Sequence, residues 1–297
     1  MRATRPIYRS LAVVAWVAVV LAACRPPATP AGLLVPLERA HAHNDYEHDR
    51  PLYDALDHGF ASVETDVHLV GGQLLVAHDE EDVADEYIRR EDMTLQALYL
   101  DPLRERVRQH GGRVYAGGPP LTLLVDVKTE AEQTYAALRQ VLKEYEDILT
   151  TFGPGGRKDG AVTVIVSGNR ARADLEAEVA RYGVRYAAYD GRLEDLDSGA
   201  EASLIPLISD KWTTYLTWEG RGPMPEEERQ KLAAIVETAH QQGRRVRFWD
   251  TPDGRSAARE AVWQTLIEAG VDLINTDDLA GLQRFLLEHD PALESTR

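Results

Sequence analysis

The chain has 297 residues, with 49 aspartates and glutamates against 33 lysines and arginines, and a formal net charge of −16. So acidic a polypeptide lacks the basic footprint that nucleic-acid binding needs, and anionic lipid repels it unless its charge is unevenly placed. Its length supplies one large core and fits a single α/β barrel as well as two smaller domains.

Residues 1–24 read as a leader. Arg2, Arg5 and Arg9 precede an unbroken apolar stretch from Leu11 to Ala23, too short to span a bilayer as a helix but suited to export. Leu21-Ala22-Ala23-Cys24 resembles the bacterial lipobox, in which the cysteine is lipidated; an ordinary signal peptide that happens to contain a cysteine is the other reading. Cys24 is the only cysteine, so no intrachain disulfide forms. Residues 25–36, rich in proline and alanine, read as a flexible tether. The lipobox reading places the protein in the bacterial cell envelope, held to a membrane by an N-terminal lipid anchor.

From residue 37 to 297 the pattern alternates. Candidate strands are residues 37–43, 61–67, 121–127, 161–167, 184–189, 204–208, 244–250 and 270–275. Several are almost continuously apolar, as strands buried on both faces are. Helical patterns fall at 130–150, 171–182, 226–242, 256–269 and 279–288, and Gly183, Gly243 and Gly270 stop three of them. Eight such units argue for a single-domain (β/α)₈ TIM barrel. The competing open doubly wound sheet lacks a glycine-rich phosphate loop here. Gly71-Gly72, set between alternating apolar residues, signals a hairpin that turns His78 back toward the second strand.

Polar islands close the early strands: His41-Ala-His43-Asn44-Asp45, Glu64-Thr-Asp66, His78-Asp79 and Asp126-Val-Lys128. Residues i and i+2 of a strand share a face, so Glu64 with Asp66 and Asp126 with Lys128 converge at one rim of a parallel barrel. Such a set holds a hard divalent cation and moves protons, as phosphodiester cleavage requires.

These islands resemble the phospholipase C-like phosphodiesterases, a superfamily that includes glycerophosphodiester phosphodiesterases, phosphatidylinositol phospholipases C and the sphingomyelinase D type. The shared order is a histidine after the first strand, Glu-x-Asp after the second, His-Asp after a hairpin, and a carboxylate with a nearby lysine. Arg247-Phe-Trp249-Asp250 and Asp272-Leu-Ile-Asn-Thr276-Asp277 extend the likeness into the C-terminal half. Within the superfamily the chain is most similar to the altered inheritance of mitochondria protein 6 group, through His-Asn-Asp-Tyr, Val-Ser-Gly-Asn and Phe-Trp-Asp-Thr-Pro. It departs from glycerophosphodiesterases in having His43-Asn44-Asp45 for His-Arg-Gly and Asp126-x-Lys128 for Glu-x-Lys.

The reading that follows is a metal-dependent hydrolase of glycerophosphodiesters or of phospholipid or sphingolipid headgroups. Glu64, Asp66, Asp126 and Asn44 are the metal ligands, and Mg²⁺ is favoured over Ca²⁺ because few carboxylates are present and waters can complete an octahedron. The bland counterparts are salt bridges from Glu64 and Asp66 to neighbouring arginines. His43 and His78 form the acid/base pair. Lys128 binds phosphate, or pairs with Asp126 or Glu130. Trp249, Trp212 and Lys211 line the substrate, or pack the barrel top. His41, Asp45 and His58 support the site, and Asp277-Asp278 cap the last helix. Two rival classes remain: an envelope lipoprotein that binds phosphorylated ligands without turnover, and a glycosidase barrel using Glu64 with another acid.

Overall fold

The computed structural model describes residues 34–84 and 90–296. Its strands are β1 (Leu37–Ala42), β2 (Phe60–Val70), β3 (Gln73–Val76), β4 (Leu121–Val127), β5 (Thr151–Gly153), β6 (Gly156–Lys158), β7 (Val162–Gly168), β8 (Ala187–Gly191), β9 (Leu207–Lys211), β10 (Arg245–Trp249) and β11 (Leu273–Thr276). Parallel pairing runs β1–β2–β4–β7–β8–β9–β10–β11, and β11 pairs back onto β1, which closes the ring. The principal helices between strands are Asp101–Gln109, Ala131–Lys143, Arg172–Tyr182, Glu226–Gln241, Ala257–Glu268 and Leu279–His289. The expected (β/α)₈ barrel is therefore the fold. None of the described helices is long and apolar enough to cross a membrane. Cys24, the leader and the tether up to residue 33 lie outside the described residues.

Alternation sorts the strand side chains. Along β4, Leu123 and Val125 join the large core beneath the helices, while Leu124 belongs to a separate apolar cluster with Phe152, Ile165, Ala188, Leu207 and Leu273. That second cluster fills the middle of the barrel. Polar side chains lie above and below it on the same strands: Thr122 and Asp126 flank Leu124, and Thr163 and Ser167 flank Ile165.

Differences from the sequence reading have local causes. The sixth barrel strand begins at Leu207, not 204, because Pro206 has no N–H for the ladder. The helix expected over 130–150 stops at Lys143. Its last third is a turn that leads into the β5–β6 hairpin, with Leu149 already bridged to Val162. The Gly71-Gly72 hairpin is present: β3 runs antiparallel to β2, with Val67 opposite Val76. Both glycines have positive φ, which side chains rarely adopt.

Candidate active site

The C-terminal ends of the strands converge on a cavity of about 250 Å³ lined by His43, Asn44, Glu64, His78, Asp126, Lys128, Ser167, Arg192, Arg247 and Trp249. Register explains much of this. Asp66 lies opposite Asp126, and Asp126 opposite Ser167, on neighbouring parallel strands. One oxygen each from Glu64, Asp66 and Asp126 lie within 4.8 Å of one another.

Glu64 is buried and heavily partnered. It accepts hydrogen bonds from the Arg247 guanidinium and, at 2.9 Å, from His41 Nε2. Burial favours its neutral form, but the charge of Arg247 and the His41 bond outweigh that and hold the carboxyl well below its usual range. His41 is itself driven down to about 3, by burial first and Arg247 second, so it stays neutral. A neutral imidazole bonded to a carboxylate donates from Nε2 and accepts the Ser62 hydroxyl at Nδ1, 2.7 Å away. Arg247 also reaches Asn275 Oδ1 at 2.9 Å through Nε. The salt-bridge reading for Glu64 and the support role of His41 thus both describe real contacts.

Asp66 differs. Its Oδ2 accepts from the Tyr46 hydroxyl at 2.8 Å and from Lys128 Nζ at 3.0 Å, while its Oδ1 is buried without a partner. Burial pushes its pKa up to about 6, with Asp126 adding to the rise and Lys128 opposing it. Burial also raises Asp126, which pairs with Lys128 at 3.2 Å. An orphaned carboxylate oxygen beside two further carboxylates costs free energy, and a hard cation is the partner that would remove that cost. The donor set, all oxygen, suits Mg²⁺ or Ca²⁺. Lys128 partly compensates the cluster; burial lowers its pKa, but Asp126 and Asp66 raise it further and keep it charged. Asn44 sits in the left-handed region at φ 43°, its amide nitrogen 3.3 Å from Glu47 Oε1, so its carbonyl oxygen is left for the cavity.

His43 donates from Nδ1 to Asp277 Oδ1 at 2.8 Å. Burial lowers its pKa, yet the Asp277 bond and the field of Glu64 more than offset this and raise it. His78 follows β3 on an exposed loop and pairs with Asp79 at 3.0 Å. Trp249 lines the cavity, with Lys211 Nζ 5.5 Å from its ring centroid and tied to Asp250 at 3.3 Å. Trp212 is fully buried, edge-on to Phe248, and its indole N–H donates to Trp218 O at 2.9 Å. Neither Lys211 nor Trp212 lines this cavity; Trp212 packs against Phe248 and borders a separate cavity with Thr213 and Asp250.

Sequence reasoning did not assign Arg247, Asn275, Tyr46, Ser167 or Arg192 to the site, and it read Asp277 as a helix cap. Asp278 alone caps, accepting from Gly281 N at 3.1 Å. A closed ring places the loop after β11 beside the end of β1, which is the signal that could have found Asp277.

A parallel eight-stranded barrel with Glu-x-Asp, two histidines and a lysine-paired aspartate at its C-terminal mouth defines the phospholipase C-like class. Residues 34–190 match the AIM6-like phosphodiesterase domain, and residues 245–280 match the glycerophosphoryl diester phosphodiesterase family. The chain belongs to the AIM6-like phosphodiesterase family. It is 29% identical over 280 residues to the altered inheritance of mitochondria protein 6 homolog of Arthroderma benhamiae, covering 83% of this chain and 82% of that one. It is 31% identical over 280 residues to altered inheritance of mitochondria protein 6 of Lachancea thermotolerans, covering 81% of this chain and 64% of the relative. Two solved structures share the fold at a TM-score of 0.51. One is a calcium-dependent phosphoinositol-specific phospholipase C from Pseudomonas sp. (14% identity; 85% of this chain, 93% of that one). The other is a glycerophosphoryl diester phosphodiesterase from Parabacteroides distasonis (15% identity; 87% and 88%).

The relatives overturn the expected bacterial-envelope location. Proteins matching four fifths of the chain are fungal, not bacterial envelope lipoproteins. The physical reason for the error is that a short apolar leader with small residues is a generic targeting pattern that does not encode a compartment.

Proposed function

We propose that the protein hydrolyses a phosphodiester, either a small glycerophosphodiester or a lipid headgroup, at the C-terminal mouth of the barrel. The observation that carries this reading is the buried, unpartnered Oδ1 of Asp66 within the Glu64–Asp66–Asp126 cluster, of which Glu64 and Asp126 line one cavity with two histidines. Those carboxylates, with the carbonyl oxygen of Asn44, would hold one divalent cation. Such a cation supplies counter-charge to a nonbridging phosphate oxygen. Mg²⁺ is the first candidate on the small number of carboxylates, and Ca²⁺ the second, as in the calcium-dependent neighbour.

The chain's own residues do the rest. Lys128 presents its ammonium to the phosphate. Asp277 holds the His43 ring by Nδ1, leaving Nε2 to take the proton of the nucleophile, a water or a hydroxyl of the substrate. His78 donates to the leaving oxygen. The raised basicity of His43 is the reason for this division of roles. Glu64, locked to Arg247 and His41, is held ionised and cannot serve as the general acid that a glycosidase needs.

The test is turnover of bis(p-nitrophenyl) phosphate, then of a panel of lipid and glycerol diesters, with and without a chelator. We expect activity that the chelator abolishes and added cation restores. Tight binding of phosphorylated ligands with no turnover would replace this reading with a binding protein.

A further inference from the structure

The barrel has a second polar mouth. At the N-terminal ends of the strands lies a cavity of about 400 Å³, lined in part by Glu38, Thr122, Arg157, Thr163, Ser203 and Arg245. Thr122 and Thr163 are the second residues of β4 and β7, and Arg245 is the first of β10. The apolar layer of Leu124, Ile165, Leu207 and Leu273 stands between this cavity and the catalytic one.

Arg245 is half-buried and, like the buried Arg244 and Arg185, has no carboxylate partner among the described residues, but of the three it is the one that lines this cavity. Arg247 meets Glu64 and Asn275, and Arg259 meets Asp278. Arg244 donates to the carbonyls of Asp195 and Ala200, and Arg185 to that of Ser203 at 2.7 Å. Arg245 has one side-chain bond, to Thr122 Oγ1 at 3.1 Å, and among the described residues no carboxylate lies within ion-pair distance of it. A guanidinium has five N–H donors in a planar fork that matches oxyanions. Burial disfavours its charged form, and Asp272 only partly offsets that. A partly buried cation left without a counter-ion is costly, and the cavity in front of it is large enough to admit one. Arg157, on the exposed β6 strand, also lines this space; its Nε is paired with Asp159 at 2.6 Å, so its remaining N–H groups are what it can offer a ligand.

We propose that this basal cavity binds the phosphate group of a small phosphomonoester, with the Arg245 fork as its principal contact and Arg157 as its second cation. Thr122 accepts from Arg245, so its hydroxyl proton is left to donate to the ligand. Glu38, exposed at the rim, disfavours ligands carrying further negative charge. A single phosphate on a neutral, hydroxylated body is the class that fits. The site is separate from the catalytic mouth, and it stands or falls independently of the proposed hydrolysis.

The experiment titrates inorganic phosphate and glycerol phosphate into the full-length Lys128→Ala protein in chelator, by calorimetry and by thermal shift. That background removes the phosphate contact of the upper mouth. We expect saturable binding at millimolar ligand, glycerol phosphate tighter than inorganic phosphate, and a rise in Tm. Arg245→Met should weaken binding by about tenfold or more, equivalent to about 1.4 kcal/mol. Replacing a buried ion by an apolar side chain of similar volume is commonly neutral or stabilising, so this variant should fold. Arg157→Ala, on an exposed strand, should weaken binding several-fold without touching the core. Absence of saturable binding, or equal affinity in Arg245→Met, overturns the proposal.

Discussion

Two histidines reach the same cavity by different means, and their electrostatics differ accordingly. His43 is held by Asp277, while His78 sits on an exposed loop beside Asp79. Either one changed to alanine should lower kcat by roughly 10²-fold or more on a lipid-headgroup diester. If they act as a unit, the double variant loses far less than the product of the single losses. A nitrophenyl ester, whose leaving group needs no proton, should selectively rescue His78→Ala; rescue of His43→Ala instead would reverse the roles. Asp277 gives a sharper test. Its bond raises the His43 pKa against the pull of burial. Asp277→Asn removes that charge, so His43 titrates lower and the acidic limb of the kcat/KM profile moves to lower pH. A limb that stays in place would remove His43 as the base. The proposed cation site carries its own pH dependence. With Asp66 pushed up to about 6, the ligating carboxylate form is lost as pH falls through that value. Cation affinity measured by calorimetry should therefore rise with pH up to about 6 and level off above it. In metal-free protein the sign of stability is opposite. The folded state holds this proton more tightly than the unfolded one, so stability falls as pH rises from the ordinary 3.8 to about 6.

At the scale of elements, the Glu-x-Asp island on β2 was legible because two acids at strand spacing in an apolar run are costly to bury unless they share a partner. The strands were legible because β4 and β7 read as apolar runs whatever their neighbours. What could not be read was angular position around the ring. Arg247 meets Glu64 across 183 residues, a pairing set by barrel closure and not by any local pattern. The β5–β6 hairpin was hidden because Tyr145, Ile148 and Leu149, buried in a turn, continue a helical period past Lys143. One glycine at the end of β7 links element geometry to the site. Gly168 has φ +66°, and a Cβ there would overlap Asp126 Oδ1 and the Val127 carbonyl. Gly168→Ala should cost about 1–3 kcal/mol through backbone strain alone and displace Asp126, a proposed cation ligand. Gly183, at φ +80° with nothing within 4 Å, is the control. Gly183→Ala should cost about 1 kcal/mol and leave cation affinity unchanged. Denaturant melts and calorimetry on the two variants separate strain from ligand displacement; equal cation affinity in both would sink the link.

For the molecule as a whole, a cation that binds only the folded state adds stability by mass action, about 2.7 kcal/mol at a hundredfold excess over Kd. The Tm of the wild type should rise by several degrees with Mg²⁺ or Ca²⁺, and Glu64→Gln or Asp66→Asn should abolish the rise while remaining folded. An undiminished rise in these variants would move the cation elsewhere. The ring itself has a bearing on how the protein is born. β1 is the first strand to leave the ribosome, yet its closing neighbour β11 is among the last, and His43 waits for Asp277 across 234 residues. At about 5–20 residues per second, that interval is roughly 10–50 s. Throughout it the nascent chain carries its histidine without the aspartate that orients it. On the proposed mechanism, hydrolysis is thereby withheld until synthesis is nearly finished, and abortive fragments ending before residue 277 lack the aspartate that the proposed base needs.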